Sequence, residues 1–123
     1  MKKSARLPDH LKRMISAVDE TLSFISHMTE EEFRADSRTQ MAVPMGFVLL
    51  GEEASRIQQR FPDFVQDHPA IPWMKIRGMR NFIAHEYYQL DFAVVWQTLL
   101  HEMPKLSAQL KTVLSEPGFG KTP

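Results

Sequence analysis

Between Leu7 and Met28 the apolar residues Leu11, Met14, Ile15, Val18, Leu22, Ile25 and Met28 recur at intervals of three and four. At about 100° per residue this spacing gathers them into one stripe on an α-helix, which is unstable in water until the stripe is covered. Pro8 is tolerated in the first turn, where its missing N–H would be unbonded anyway, and Asp9 suits the positive end of the helix dipole. Nowhere does a strand pattern, an internal repeat or a low-complexity block stand out, so the partners of this stripe must be other helices.

The chain supplies them in order. Thr29-Glu30-Glu31-Glu32 has the Thr-x-x-Glu form of a capping box and predicts a short helix carrying Phe33. Asp36 or Ser37 then caps a helix running to about Phe61, with Met41, Val48, Gly51, Ala54 and Ile57 on neighbouring stripes. The small Gly51 and Ala54 predict a tight helix crossing near Gly51. Pro44 inside this helix predicts a kink, at a cost of about 3 kcal/mol if nothing compensates. Phe61-Pro62 ends it, and the segment through His68, Pro69 and Pro72 is a connection. Trp73 begins a third long helix whose buried side uses Trp73, Ile76, Met79 and Ile83. A last one runs from an Asp91 cap to Leu114 on Val94, Val95, Leu99, Met103, Leu106 and Leu110, bent at Pro104. The expected fold is all-α, an antiparallel bundle of four to five helices in a single domain over residues 1–115, followed by a flexible tail over 116–123.

Composition narrows the function classes. The 123 residues contain 15 basic and 15 acidic side chains, so no overall field draws in nucleic acid and any RNA contact needs a local basic patch. With no cysteine, disulfides, thiolate nucleophiles and Cys-type zinc sites are excluded together, which fits a reducing compartment. No apolar segment follows the basic Met1-Lys2-Lys3, and the longest apolar run, Phe47 to Leu50, is far short of a membrane span. The expectation is a cytoplasmic protein without a membrane partner.

One stretch concentrates chemistry: Arg80-Asn81-Phe82-Ile83-Ala84-His85-Glu86-Tyr87-Tyr88. On a helix, Arg80, Ala84 and Tyr87 share one stripe and Asn81, His85 and Tyr88 the adjacent one. Arginine offers phosphate a planar, permanently charged fork, and histidine exchanges protons near neutral pH. Together they suit phosphodiester cleavage in RNA, where the neighbouring 2′-hydroxyl is the nucleophile and no metal or other cofactor is needed. His85 then moves the proton, Arg80 holds the transition-state charge and Asn81 orients phosphate or imidazole. One imidazole cannot fill both proton roles at once, so a two-fold homodimer pairing two copies of His85 is expected. On spacing alone, an ordinary solvated face is the commoner explanation of such residues. His10, His27, His68 and His101 lack chelating spacing and read as surface histidines. Glu52 and Glu53 read as salt-bridge partners for Arg77 or Arg80, and the scattered glycines form no phosphate loop.

Arg80-Asn81, three residues, then His85-Glu86-Tyr87 matches the R-x(4)-H-x-Y motif of the HEPN superfamily. With Glu32-Phe33, Asp36, Gln40-Met41-Ala42-Val43, Leu50-Gly51-Glu52, Ile71-Pro72-Trp73 and Val95-Trp96, the chain from about Leu11 to Leu110 resembles the HepT-like ribonuclease toxins of bacterial toxin–antitoxin pairs of type VII. It departs from their pattern at Glu53, where alanine is common, and at Pro44. The resemblance implies an all-helical homodimer with a metal-independent RNA-cleaving site built from Arg80 and His85, Asn81 following the arginine. It also implies a partner, a nucleotidyltransferase antitoxin of the MntA type that uses ATP to add AMP to Tyr87 and so block the cleft. The alternative function is a non-catalytic helical adaptor of such a nucleotidyltransferase.

Overall fold

Side-chain caps define several of the helix starts in the computed structural model, which describes residues 6–117. Helix α1 (Leu7–Phe24) opens with Pro8 in its first turn and Asp9 reaching back to accept from the Arg6 N–H at 3.0 Å. In front of α2 (Glu30–Ala35), Thr29 accepts from the Glu32 N–H at 3.1 Å while Glu32 accepts from the Thr29 N–H at 2.8 Å, the expected capping box. Asp36 caps α3 (Ser37–Arg60) through the Arg38 N–H. A single short helix, α4 (Pro62–Asp67), precedes α5 (Trp73–Glu86), which tightens into a 3₁₀ turn at Tyr87–Gln89. Asp91 caps α6 (Phe92–Gln97), and a π-helical turn at Thr98–Glu102 leads into α7 (Met103–Leu114). Among the described residues there is no strand, and no helix is long and apolar enough to cross a membrane.

Helix α3 is central, packed against α1 on one side and α5 on the other. Both crossings are antiparallel. His10 meets Glu53 while Thr21 lies against Gly46; Arg80 meets Glu52 while Tyr87 meets Gln40. Helix α7 closes the bundle on α1, where Asp19 accepts from the Ser107 hydroxyl at 2.7 Å and pairs with Lys111 at 2.9 Å. Phe33 of α2 is fully buried, stacked on Trp96 and edge-on to Phe92 of α6. A buried phenylalanine so placed is worth about 3–5 kcal/mol against alanine.

Four expectations are corrected. The first helix ends at Phe24, not Met28, because Ser23 and Ser26 donate their hydroxyls to the carbonyls of Glu20 and Ser23 and compete with the helical ladder; Ile25 stays buried beyond it. The last helix is interrupted before Pro104 by the π turn, where the Met103 N–H bonds to the Thr98 carbonyl. This widening relieves the clash a proline makes with the carbonyl four residues back and leaves Pro104 in the first turn of α7. His10 is no surface histidine: it is 1% exposed, with Nδ1 2.7 Å from Glu53 Oε1. His68 is also half-buried, donating from Nδ1 to the Phe64 carbonyl at 2.9 Å with Nε2 3.2 Å from Glu116. Burial works against charge on His68, but the Phe64 carbonyl and the Glu116 carboxylate outweigh it and raise its pKa above the ordinary 6.5. Helix α3 runs unbroken through the buried Pro44, and residues 118–123 of the expected tail lie outside the described residues.

The crossing at Gly51 is as close as its sequence implies. A Cβ on Gly51 would stand 2.3 Å from Arg80 Cβ and 2.7 Å from Arg80 Cγ. The Cβ contact cannot be relieved by turning the side chain, because Cβ is fixed to the backbone. Gly51→Ala gains about 1 kcal/mol of helix propensity but overpacks the crossing at a cost of about 1–3 kcal/mol. We expect a net loss of stability, read as a lower urea midpoint at unchanged m; a raised midpoint would contradict so close an approach.

Candidate active site

The α5 backbone sets Arg80 over Gly51, and this contact decides where the guanidinium goes. Its Nη2 donates to Glu52 Oε1 at 2.5 Å and its Nη1 to Asn81 Oδ1 at 3.0 Å. Arg80 and Glu52 are each about one-third exposed, 35% and 34%, so the pair contributes about 0.2–1 kcal/mol to stability. Nε of Arg80 is buried and has no hydrogen-bond partner.

Asn81 and His85 lie one turn apart on the solvent side of α5, both exposed. His85 makes no hydrogen bond or ion pair to another described residue, so its imidazole is open to an incoming ligand. Tyr87 is half-buried, and its hydroxyl donates to the Gln40 carbonyl of α3 at 3.2 Å. The ring of Tyr88 stands edge-on to it at 5.5 Å and is 95% exposed. Because the chain tightens into a 3₁₀ turn at Tyr87, Tyr88 leaves the α-helical stripe it was expected to share with Asn81 and His85.

The structure therefore brings Arg80, Asn81 and Glu52 into direct contact, keeps His85 on the adjacent open face and ties Tyr87 to α3. Of the two glutamates read as partners for Arg77 or Arg80, Glu52 takes Arg80. Glu53 turns inward to His10 and also pairs with Arg56 at 2.6 Å. Arg56, which sequence reasoning passed over, reaches Glu52 at 3.7 Å as well; its signal was the i,i+4 spacing from Glu52. Lys75, further back on α5, lies 4.0 Å from Glu102.

A groove of about 570 Å³ lies elsewhere, lined by Ile76, Met79 and Met103 among others and by none of Arg80, Asn81, His85 and Tyr87. Among the described residues no group of three or more His, Asp or Glu side chains is placed to hold a metal. The candidate site is thus an open, polar helix face suited to an extended anionic ligand rather than a small enclosed one.

A strand-free helical domain presenting an arginine, an amide and an imidazole along one helix defines a class of small α-helical proteins with an open Arg–His face. The family model described as "Ribonuclease HepT-like" matches residues 14–113, and the chain belongs to that HepT-like family. A protein of Thermococcus cleftensis named "Probable ribonuclease HepT" is 31% identical over 111 residues, covering 90% of this chain and 96% of that one. A Caldanaerobacter subterraneus protein whose name calls it an RNase is 25% identical over 107 residues, 87% of this chain and 93% of its own. No solved structure matches the chain significantly.

Proposed function

We propose that the chain is an RNA-cleaving toxin of the HepT-like family, a cytoplasmic endoribonuclease that needs no metal. The observation that carries this reading is the grouping on α5. Arg80 is held beside Asn81, and His85 lies open one turn further on the same helix. In the proposed reaction His85 takes the proton of the 2′-hydroxyl, whose oxygen attacks the adjacent phosphorus. The bond to the leaving 5′-oxygen breaks, and that oxygen gains a proton. Arg80 stabilises the crowded anionic phosphorane, and Asn81 orients it.

Two proton transfers on opposite sides of one phosphorus call for a second imidazole, which a second copy of the chain supplies. A surface on α3 supports that assembly. Met41, Met45 and Leu49 recur every fourth residue and are 71%, 56% and 52% exposed. Glu52, the partner of Arg80, continues the same side of the helix. An apolar stripe ending at the candidate site supports a two-fold interface in which two copies of His85 would face one groove.

Regulation follows from Tyr87. A nucleotidyltransferase antitoxin of the MntA type would let the Tyr87 oxygen attack the α-phosphorus of ATP, releasing pyrophosphate and leaving AMP on the ring. The Tyr87 hydroxyl must first leave the Gln40 carbonyl. The added bulk and negative charge then oppose an RNA phosphate beside Arg80.

Three outcomes are expected. Purified wild-type chain cleaves RNA in excess EDTA, and His85→Ala or Arg80→Ala lowers that rate by about 10²-fold or more; full activity in His85→Ala, or no cleavage and no toxicity by the wild type, favours an adaptor instead. With an MntA-type nucleotidyltransferase and ATP, intact mass rises by one or more AMP groups and cleavage stops, whereas a Tyr87→Phe chain that still gains AMP refutes Tyr87 as sole acceptor. Met45→Asp buries a charge in the proposed interface and yields monomers by light scattering; an unaltered dimer would locate the interface elsewhere.

A further inference from the structure

We infer that Glu52 is a positioning residue for the ribonuclease reaction, orienting the Arg80 guanidinium toward the phosphate; the inference rests on the ribonuclease reading. Among the described residues Arg80 has two polar partners, Glu52 on Nη2 and Asn81 on Nη1. Each of these nitrogens carries a second hydrogen, and Nε–H is unpartnered. A carboxylate that locked the arginine shut would take two N–H groups at once, side by side. Glu52 takes one, fixing the roll of the planar fork and leaving the second hydrogens of Nη1 and Nη2 for a ligand, while Nε–H stays buried.

Glu52 is itself held on both sides. Oε1 meets Arg80 and Oε2 lies 3.7 Å from Arg56. Arg56 is fixed at 2.6 Å to Glu53, and Glu53 is 8% exposed and bonded to buried His10. The row of alternating charge from Arg80 through Glu52 and Arg56 to Glu53, which is bonded to buried His10, ties the guanidinium to the α1–α3 core, so Glu52 is not a freely swinging surface partner. Gly51 adds the steric half of the constraint, because α3 presses on Arg80 Cβ and Cγ one residue before Glu52.

The two effects of Glu52 on an RNA reaction have opposite signs. Its negative charge disfavours a phosphate in the ground state, whereas its hold on Arg80 favours the transition state. Glu52→Ala is therefore expected to lower kcat by about 10- to 10²-fold, the scale of loss for misplaced groups, while KM for RNA stays level or falls. Glu52→Gln, whose amide oxygen can still accept from Nη2, is expected to lie between. A merely structural role would instead lower the melting temperature and the active fraction, with KM unmoved.

The test measures kcat and KM of the wild type, Glu52→Gln and Glu52→Ala on a defined RNA, with melting curves for each. In parallel, the guanidinium N–H signals of Arg80 are followed by nitrogen NMR, assigned by their loss in Arg80→Lys. Slowed rotation about the Arg80 Cζ–Nη bonds in the wild type, lost in Glu52→Ala, is expected. Unchanged kcat in Glu52→Ala overturns the inference. So do Arg80 signals that neither substitution moves, and this second arm decides whether Glu52 holds the guanidinium even if the wild type fails to cut RNA and the ribonuclease reading falls.

Discussion

The absence of a side chain at Gly51 is the constraint on which the rest of the arrangement depends. It lets α5 lie so close to α3 that Arg80 leaves the crossing with its aliphatic stem already fixed, the guanidinium emerging beside Glu52. The same antiparallel crossing brings Tyr87 to the Gln40 carbonyl three turns of α3 away from Glu52. Both ends of the motif are thus referred to one helix, and His85, between them on the outer face, inherits its position from the pair of contacts. Close helix approach here is a means of aiming side chains as well as of filling a core.

The opposite side of α3 carries a different solution. Glu53 is 8% exposed, and a carboxylate buried to that degree is costly unless paired. His10 and Arg56 pair it. Removing one member of such a group typically costs about 3–5 kcal/mol, because the other is left buried and unmatched. The interior of this bundle therefore contains one polar contact specifying how α1 docks on α3, placed a residue away from the glutamate that faces the candidate site.

Much of this was legible in the chain because it rests on local chemistry. The capping box at Thr29, the Asp36 and Asp91 caps, the buried stripe of α5 and the crossing at Gly51 all follow from residues a few positions apart. What was missed required knowing a partner from far along the sequence. His10 shares a helical stripe with Met14, Ala17 and Thr21, a visible sign of burial, but the glutamate that makes burial tolerable lies 43 residues away. A bend at Pro104 was expected, but the π turn before it was not legible, because a proline announces a disturbance without saying which carbonyl will give way. At the site, the residue types and their stripes could be read directly, whereas the choice of Glu52 rather than Glu53 by Arg80 depended on the rotation of α3 against α5.

Energetics at Arg80 separate a structural from a functional reason for its presence. The ion pair with Glu52 is one-third exposed and contributes about 0.2–1 kcal/mol. Against this stands a buried Nε–H without a partner, a penalty of about 1–3 kcal/mol. The sum is neutral to unfavourable, so an apolar residue over Gly51 would serve folding at least as well. An arginine there, with donors left over and an imidazole one turn beyond its amide neighbour, is arranged for a ligand that brings its own acceptors. On the ribonuclease reading, phosphate oxygens in an extended chain meet that description, because they can take the remaining hydrogens of Nη1 and Nη2 and match the charge that a single glutamate shared with Arg56 leaves uncompensated.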